Sequence, residues 1–318
     1  MSDFPYQAVR EKLEGAEAIT ILSHLNPDAD ALGTSLGIYA LLKANGHKRV
    51  EVVNASNLLP LSLDFLPNFT KIKSSMDYGH SLIIACDCGN IERLGVELTS
   101  REIINIDHHK SNTDYGLINV VKPSYASSSQ VAYRLFQEIY PMDAKTATCF
   151  YTALLSDTKY FTASSVDKEV FALAGELIAL GANPETIASS MTQRKPLSAL
   201  RILQKALASL TLYHEARIAV LHVSKEEIAQ TGAKIPDLEG IVEYANSLVT
   251  VEIALFLMEL EGGIRVSVRS KDLDVSRLAL AFGGGGHQVA SGFTLKQCEL
   301  HESIDIILKK IEYLRIIR

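Results

Sequence analysis

The run Ala18-Ile19-Thr20-Ile21-Leu22-Ser23-His24-Leu25-Asn26-Pro27-Asp28-Ala29-Asp30 sets the architecture of the first half of the chain. Ala18 to Ser23 is mostly apolar and β-branched, the composition of a strand. Asp30 to Asn45 reads as a helix, with Gly46 as its stop. Val50 to Val53 is a second strand. Further on, Ser81 to Cys86 is an apolar run typical of a strand covered on both faces, and Glu102 to Ile106 is another. Strands alternating with helices predict an α/β fold with a mainly parallel sheet flanked by helices. In such sheets ligands sit beyond the carboxyl ends of the strands. The residues just after each strand are therefore the ones to inspect for chemistry.

Four polar clusters stand at such places. His24, Asp28 and Asp30 fall in one loop between strand and helix; the structural alternative is that Asp28 or Asp30 merely caps the helix. Asp87 ends an apolar strand, where a carboxylate is costly unless paired or metal-bound. Alternation along that strand puts Cys86 and Cys88 on one face and Asp87 on the other, which makes the cysteines core filler rather than ligands. Asp107-His108-His109 ends the next strand. Asp157 closes the apolar helix around Thr146 to Leu155, at the end of a helix where a negative charge is unfavourable without a cationic partner. Three strand ends on one sheet edge and one helix end can thus converge. Aspartates with histidines and no thiolates suit hard to borderline divalent ions such as Mn²⁺ or Mg²⁺, and this many carboxylates can hold two.

From Ala126 to about Met191 the pattern is helical, with Asn183-Pro184 as a helix start, and helical periodicity returns from Leu197 to Leu212. A boundary at Thr192 to Pro196 divides the chain into domains 1–191 and 197–318. In the second, Arg217 to Val223 and Glu252 to Leu260 read as strands, with a hairpin turn at Glu261-Gly262-Gly263 into Ile264 to Arg269. Asp274 to Phe282 is a short helix, and Ser303 to Arg318 an amphipathic closing helix. Between them lies Gly283-Gly284-Gly285-Gly286-His287. Successive glycines let backbone N–H groups approach a phosphate, His287 adds a donor, and Arg269 can grip a phosphate through two nitrogens. The alternative for the glycines is a flexible turn.

Bulk properties narrow the class. The 318 residues suffice for two domains of about 100–200 each, and 47% hydrophobic with 21% charged residues is ordinary globular composition. No apolar run reaches the roughly 20 residues that span a bilayer, and Met1-Ser2-Asp3-Phe4-Pro5 does not begin a secretory leader. Four scattered cysteines fit a reducing cytoplasm rather than a disulfide framework. A net charge of −6 with no basic stripe argues against a grip on long nucleic acid, so positive charge for an anionic substrate must be local.

In these clusters the sequence resembles the DHH phosphoesterase family, whose name spells Asp107-His108-His109. Four signature blocks are recognisable in order from Ser23 to Asp157, and Gly283 to His287 with Ala290-Ser291-Gly292-Phe293 resembles the glycine-rich signature of the DHHA1 domain. The resemblance implies a DHH catalytic domain and a smaller α/β DHHA1 substrate-binding domain with a cleft between them. It implies two Mn²⁺ ions, with Mg²⁺ or Co²⁺ as substitutes. His24 and Asp28 would hold one, Asp30, His108 and Asp157 the other, and Asp87 both. Asp107 would orient a histidine, and His109 would contact the substrate phosphate or assist the leaving group. Asn90, Arg93 and Asn112 continue the blocks and would join Arg269, Gly284, Gly285, Gly286 and His287 in binding substrate.

The pairing of domains looks most like the NrnA group of that family. This implies a cytoplasmic hydrolase and exonuclease that degrades nanoRNA and removes the 3′-phosphate of adenosine 3′,5′-bisphosphate (pAp) through a metal-activated water. Its partners would be short RNA and nucleotides, without long nucleic acid or membrane, and a homodimer is compatible. Cyclic or linear dinucleotides are alternative substrates. A nucleotide-binding regulator without catalysis is a rival reading, against which every ligand position in the four blocks is intact. An inorganic pyrophosphatase is another, against which the Gly-Gly-Gly-His run speaks.

Overall fold

The structure, a computed structural model, describes residues 4–317. Met1 to Asp3, part of the stretch read for a leader, and Arg318, the end of the expected closing helix, lie outside the described residues. Two compact units are formed, Met1–Arg194 and Lys195–Arg318.

The first unit runs α1 (Tyr6–Gly15), β1 (Ile19–Ser23), α2 (Ala29–Ala44), β2 (Val50–Val53), β3 (Ile72–Lys73), β4 (Leu82–Cys86), β5 (Ile103–Asp107), β6 (Ile118–Val121), α3 (Ser128–Phe136), α4 (Ala144–Asp157), α5 (Lys168–Ala179) and α6 (Pro184–Thr192). The six strands are all parallel, in the order β3-β2-β1-β4-β5-β6. Strand order reverses between β1 and β4, so the loops leaving these two strands flank the crevice where such sheets bind ligands. β1, β4 and β5 are central and buried at every position, which is why they read as continuous apolar runs. The expected strands and the α2 and α4 helices are present. Helix α1 and the short edge strands β3 and β6 carry too weak a pattern to have been anticipated.

Two local features place the site. Helix α2 packs against α4 through Gly33 and Gly37. A methyl group on Gly33 would lie 2.7 Å from the Cys149 carbonyl oxygen, and one on Gly37 would collide with the Phe150 ring. That close approach carries Asp30, at the start of α2, to Asp157, at the end of α4. The second feature is Asp87, whose φ of +54° is left-handed. The alternation expected of β4 therefore stops at Cys86. Cys86 packs in the main core with Ile84 and Ile106, whereas Cys88 packs with Ile83 and Ala85 in a separate, smaller cluster. The expectation that the two cysteines share a face is corrected: the kink at Asp87 sends them to opposite faces. Both are buried core residues nonetheless.

The second unit runs α7 (Leu197–Ala208), β7 (Thr211–Tyr213), β8 (Ile218–Val223), α8 (Lys225–Thr231), α9 (Ile241–Asn246), β9 (Ile253–Leu260), β10 (Gly263–Ser270), α10 (Ser276–Ala281), β11 (Gly285–His287), β12 (Ala290–Leu295) and α11 (Leu300–Tyr313). Its sheet has the order β11-β12-β10-β9-β8-β7, with only β8 and β9 parallel. The helix expected over Leu197 to Leu212 stops at Ala208. The Ser209 hydroxyl donates to the His222 carbonyl (2.9 Å) and accepts the His222 N–H (2.8 Å), docking the next residues onto β8 as a strand. Tertiary pairing overrides the helical period there. The turn Glu261-Gly262 joins β9 to β10 as expected, with Leu260 opposite Gly263.

Candidate metal centre

Each proposed ligand sits where a regular element ends. His24 follows β1, and its Nδ1 lies 2.8 Å from the Leu25 carbonyl, which leaves Nε2 facing inward. Asp28 does cap α2, accepting the Ala31 N–H at 3.0 Å on Oδ1, while Oδ2 lies 4.0 Å from His24 Nε2. The cap read as the alternative is thus present, and the second oxygen of the same side chain stays near His24. Asp30, one residue into α2, is buried. Asp87 follows β4, with Oδ2 3.6 Å from His24 Nε2 and Oδ1 3.8 Å from His108 Nε2. His108 follows β5; its Nδ1 lies 3.2 Å from the Tyr125 carbonyl and its Nε2 lies 3.1 Å from Asp157 and 3.8 Å from Asp30.

Two triads result. His24, Asp28 and Asp87 present ligand atoms within 4.8 Å of one another, and so do Asp30, His108 and Asp157. Asp87 also forms such a group with His108 and His109. Its two oxygens therefore face different triads. A histidine whose Nδ1–H is held by a carbonyl offers Nε2 to a cation, the usual arrangement of a metal-binding imidazole.

Asp107 lies behind these groups, fully buried. Its Oδ1 accepts the His108 N–H (2.8 Å) and meets His109 Nδ1 (2.7 Å), while Oδ2 accepts from Asn112 Nδ2 (2.6 Å). Asn112 in turn is tied to Asn105 and to the Cys88 carbonyl. Asn90 caps the short helical turn Ile91–Leu94 by accepting the Glu92 N–H, and the Arg93 carbonyl accepts the Leu25 N–H at 2.7 Å. Each of these three residues thus has a structural task at the rim of the centre.

The electrostatics are those of crowded carboxylates. Burial, with the Asp87 and Asp157 charges added, pushes the Asp30 carboxyl well above the usual range. Burial would raise Asp87 too, but the His24 hydrogen bond and the neighbouring imidazoles outweigh it and hold that carboxyl low. For His108, burial opposes the charge and Asp157, Asp30 and Asp87 prevail, so the ring is raised well above its ordinary value. Hydrogen bonding to Asp107 is the main cause of the upward shift at His109. Packed carboxylates and imidazoles without a thiolate fit a hard or borderline divalent cation. Such an ion would offset the mutual repulsion of these carboxylates.

One participant escaped the sequence reading. Ser128 Oγ donates to Asp87 Oδ1 at 2.8 Å, and its N–H donates to Asp30 Oδ2 at 2.7 Å. The run Ser127-Ser128-Ser129 signals a helix start, but nothing in it says which hydroxyl meets a carboxylate.

In the second unit, Arg269 on β10 and His287 on β11 both pair with Ala290 on β12. Residues in register share a face, so Arg269, Ala290 and His287 form one row two strand spacings wide, roughly 10 Å. Arg269 Nε is held by Glu243 at 2.7 Å, and one Nη donates to the Val268 carbonyl at 3.0 Å. The glycines differ. A Cβ on Gly284 would strike the Gly292 carbonyl, and one on Gly286 the backbone of Ser291. One on Gly285 would meet nothing within 4 Å. Close strand packing thus explains Gly284 and Gly286 but not Gly285.

Residues 18–154 match the DHH family, N-terminal domain, and residues 216–314 match the DHHA1 domain. The bifunctional oligoribonuclease and PAP phosphatase NrnA of Thermus thermophilus is 30% identical over 95% of this chain and 92% of its own length. Its namesake in Bacillus subtilis is 25% identical over 88% of this chain and 90% of its own. The crystal structure of an exopolyphosphatase-related protein from Bacteroides fragilis superposes with a TM-score of 0.89 at 27% identity, covering 97% of this chain and 95% of that one.

Proposed function

This chain belongs to the DHH family of phosphoester hydrolases, and on that premise we propose that it cleaves short oligoribonucleotides and the 3′-phosphate of pAp with the help of two manganese ions. The observation that carries the reading is the placement of Asp87, a member of the His24 triad whose other oxygen lies 3.8 Å from His108 of the second triad. His24 and Asp28 would hold one cation with Asp87, and Asp30, His108 and Asp157 the other. Bound cations at these residues would supply charge to polarise a phosphoryl oxygen and to acidify the attacking water.

The chain's own groups do the rest. Asp107 holds His109 through Nδ1, and the raised affinity of His109 for protons suits it to donate to a phosphoryl or leaving oxygen. Residues 1–191 would form the catalytic domain, 192–196 the linker and 197–318 the substrate-binding domain. In the latter, the Nη groups of Arg269 not engaged by the protein, the open backbone at Gly285, and His287 would receive a phosphate. Asn90, Arg93 and Asn112 would bind substrate only in addition to the structural tasks described. Substrates are short because a chain of charge −6 gains little from each added phosphate.

The deciding experiment compares kcat/KM, with Mn²⁺ present, for a length series of single-stranded RNA, for pAp, for cyclic dinucleotides and for pyrophosphate. Values should be highest for pAp and for RNA of two to about five nucleotides, and fall for longer strands. Faster processive degradation of strands of several tens of nucleotides sinks the reading.

A further inference from the structure

Ser128 touches the centre at three acidic residues although it offers no charge of its own. It is the first residue of α3 and is completely buried. Its N–H donates to Asp30 Oδ2 at 2.7 Å, and the next N–H, of Ser129, donates to Asp30 Oδ1 at 3.2 Å. These are first-turn donors with no partner inside the helix, so α3 directs them and the positive end of its dipole at Asp30. The Ser128 hydroxyl points elsewhere. It lies 2.8 Å from Asp87 Oδ1 and 3.5 Å from Asp107 Oδ1, and the shorter contact is the working hydrogen bond.

We propose that Ser128 is the positioning residue of the bridge: its hydroxyl fixes the rotation of the Asp87 carboxylate so that each oxygen faces its own triad. The terminal torsion of an aspartate is broad and nearly two-fold, so a carboxylate left alone samples many rotations. Bridging needs one of them, with Oδ2 toward His24 and Oδ1 toward His108. The backbone is already pinned, because the Asp87 N–H donates to the Ile106 carbonyl at 3.0 Å in the left-handed kink. The side-chain torsion is the remaining freedom; His24 restrains it from the Oδ2 side, and Ser128 gives the shortest restraint on the Oδ1 side, at 2.8 Å against 3.6 Å for His109. The main-chain bonds to Asp30 do not involve the side chain at 128, so a small replacement leaves them in place. The hydroxyl therefore acts on the bridge selectively.

This inference rests on the two-cation reading, and its test separates the two. Mn²⁺ is titrated into the full-length wild type, Ser128→Ala and Ser128→Thr without substrate, by calorimetry and by electron paramagnetic resonance. The wild type should bind two ions and show the spectrum of a magnetically coupled pair. Ser128→Ala should bind the second ion about 10–100-fold more weakly and show uncoupled ions. Ser128→Thr, which keeps the hydroxyl, should restore both. Thermal melts of the metal-free variants identify any failure to fold; if Ser128→Ala does not fold, Ser128→Cys, nearly isosteric but a weak donor, carries the same comparison. A coupled pair of wild-type affinity in Ser128→Ala overturns the role of Ser128 and leaves the two-cation reading standing. Equal losses in the alanine and threonine variants overturn it as well, by pointing to packing. A wild type that does not bind two ions overturns the broader reading and this inference with it.

Discussion

Gly33 on α2 lies so close to Ala153 on α4 that a methyl group added to Gly33 would sit 2.8 Å from the Ala153 Cβ. Neither residue bears a reactive group. Yet Asp30 is one turn before Gly33 and Asp157 one turn after Ala153, so the spacing of these helices sets how both carboxylates approach His108.

Gly33→Ala should therefore weaken a cation site it does not touch. Alanine favours the helix intrinsically, but the helices must separate to admit it. We expect a net loss of about 1–3 kcal/mol and weaker Mn²⁺ binding at Asp30, His108 and Asp157. The His24 and Asp28 site should be spared. Chemical denaturation and calorimetric titration check this; unchanged stability and affinity would mean that the helices slide freely.

Removal of Asp87 and of Asp107 should have unequal effects. Asp87→Ala takes a ligand from both triads and should cost at least about a thousandfold in activity. Asp107→Ala loosens His109 and should cost about 10–100-fold. Single-turnover kinetics on folded variants measure both. Equal losses would place Asp107 among the ligands.

The glycine run can be dissected one position at a time. Gly286→Ala should destabilise the second unit, because Gly286 has a φ of +140° and its Cβ would meet Ser291. Gly285→Ala should melt like the wild type. It should raise KM for pAp by at least about tenfold, or about 1.4 kcal/mol, if the open backbone there receives a phosphate. A wild-type KM in Gly285→Ala would assign all these glycines to the hairpin.

Cation binding should release protons. Asp30, through burial and its charged neighbours, and His108, through its carboxylate partners against the opposing effect of burial, both bind protons more tightly than usual. A cation at these atoms competes with protons for them. The sign follows: apparent Mn²⁺ affinity rises with pH and falls on acidification. Calorimetry in buffers of different ionisation enthalpy counts the protons, and binding independent of pH would contradict the assignment.

The parts legible in the sequence were those fixed by local chemistry. β1, β4 and β5 are buried on both faces, so their apolar runs identify them, and the candidate ligands follow at their ends. Asn183-Pro184 starts α6 as read, with the Asn183 side chain accepting the Thr186 N–H. Ser224 and Glu227 form a capping box at α8, a signal present in the sequence but passed over. β7 was hidden because Ser209 and β8 decide it, a contact with no local trace. The opposite placement of Cys86 and Cys88 depends on one backbone angle, and the contact of Ser128 with Asp87 joins residues 41 apart.

The left-handed backbone at Asp87 narrows what evolution can place there. Beyond glycine, asparagine and aspartate adopt that conformation most readily, and other residues pay about 1–2 kcal/mol. Shared ligation asks for something different, a short anionic side chain with two equivalent oxygens. The first requirement favours glycine, asparagine and aspartate; the second, among short side chains, admits aspartate. The two sets overlap in a single amino acid. On the two-cation reading, a replacement at position 87 would give up the ease of the kink, the bridge, or both. Asparagine is the informative substitute, since it keeps the conformation while removing the charge and turning one acceptor oxygen into an N–H donor.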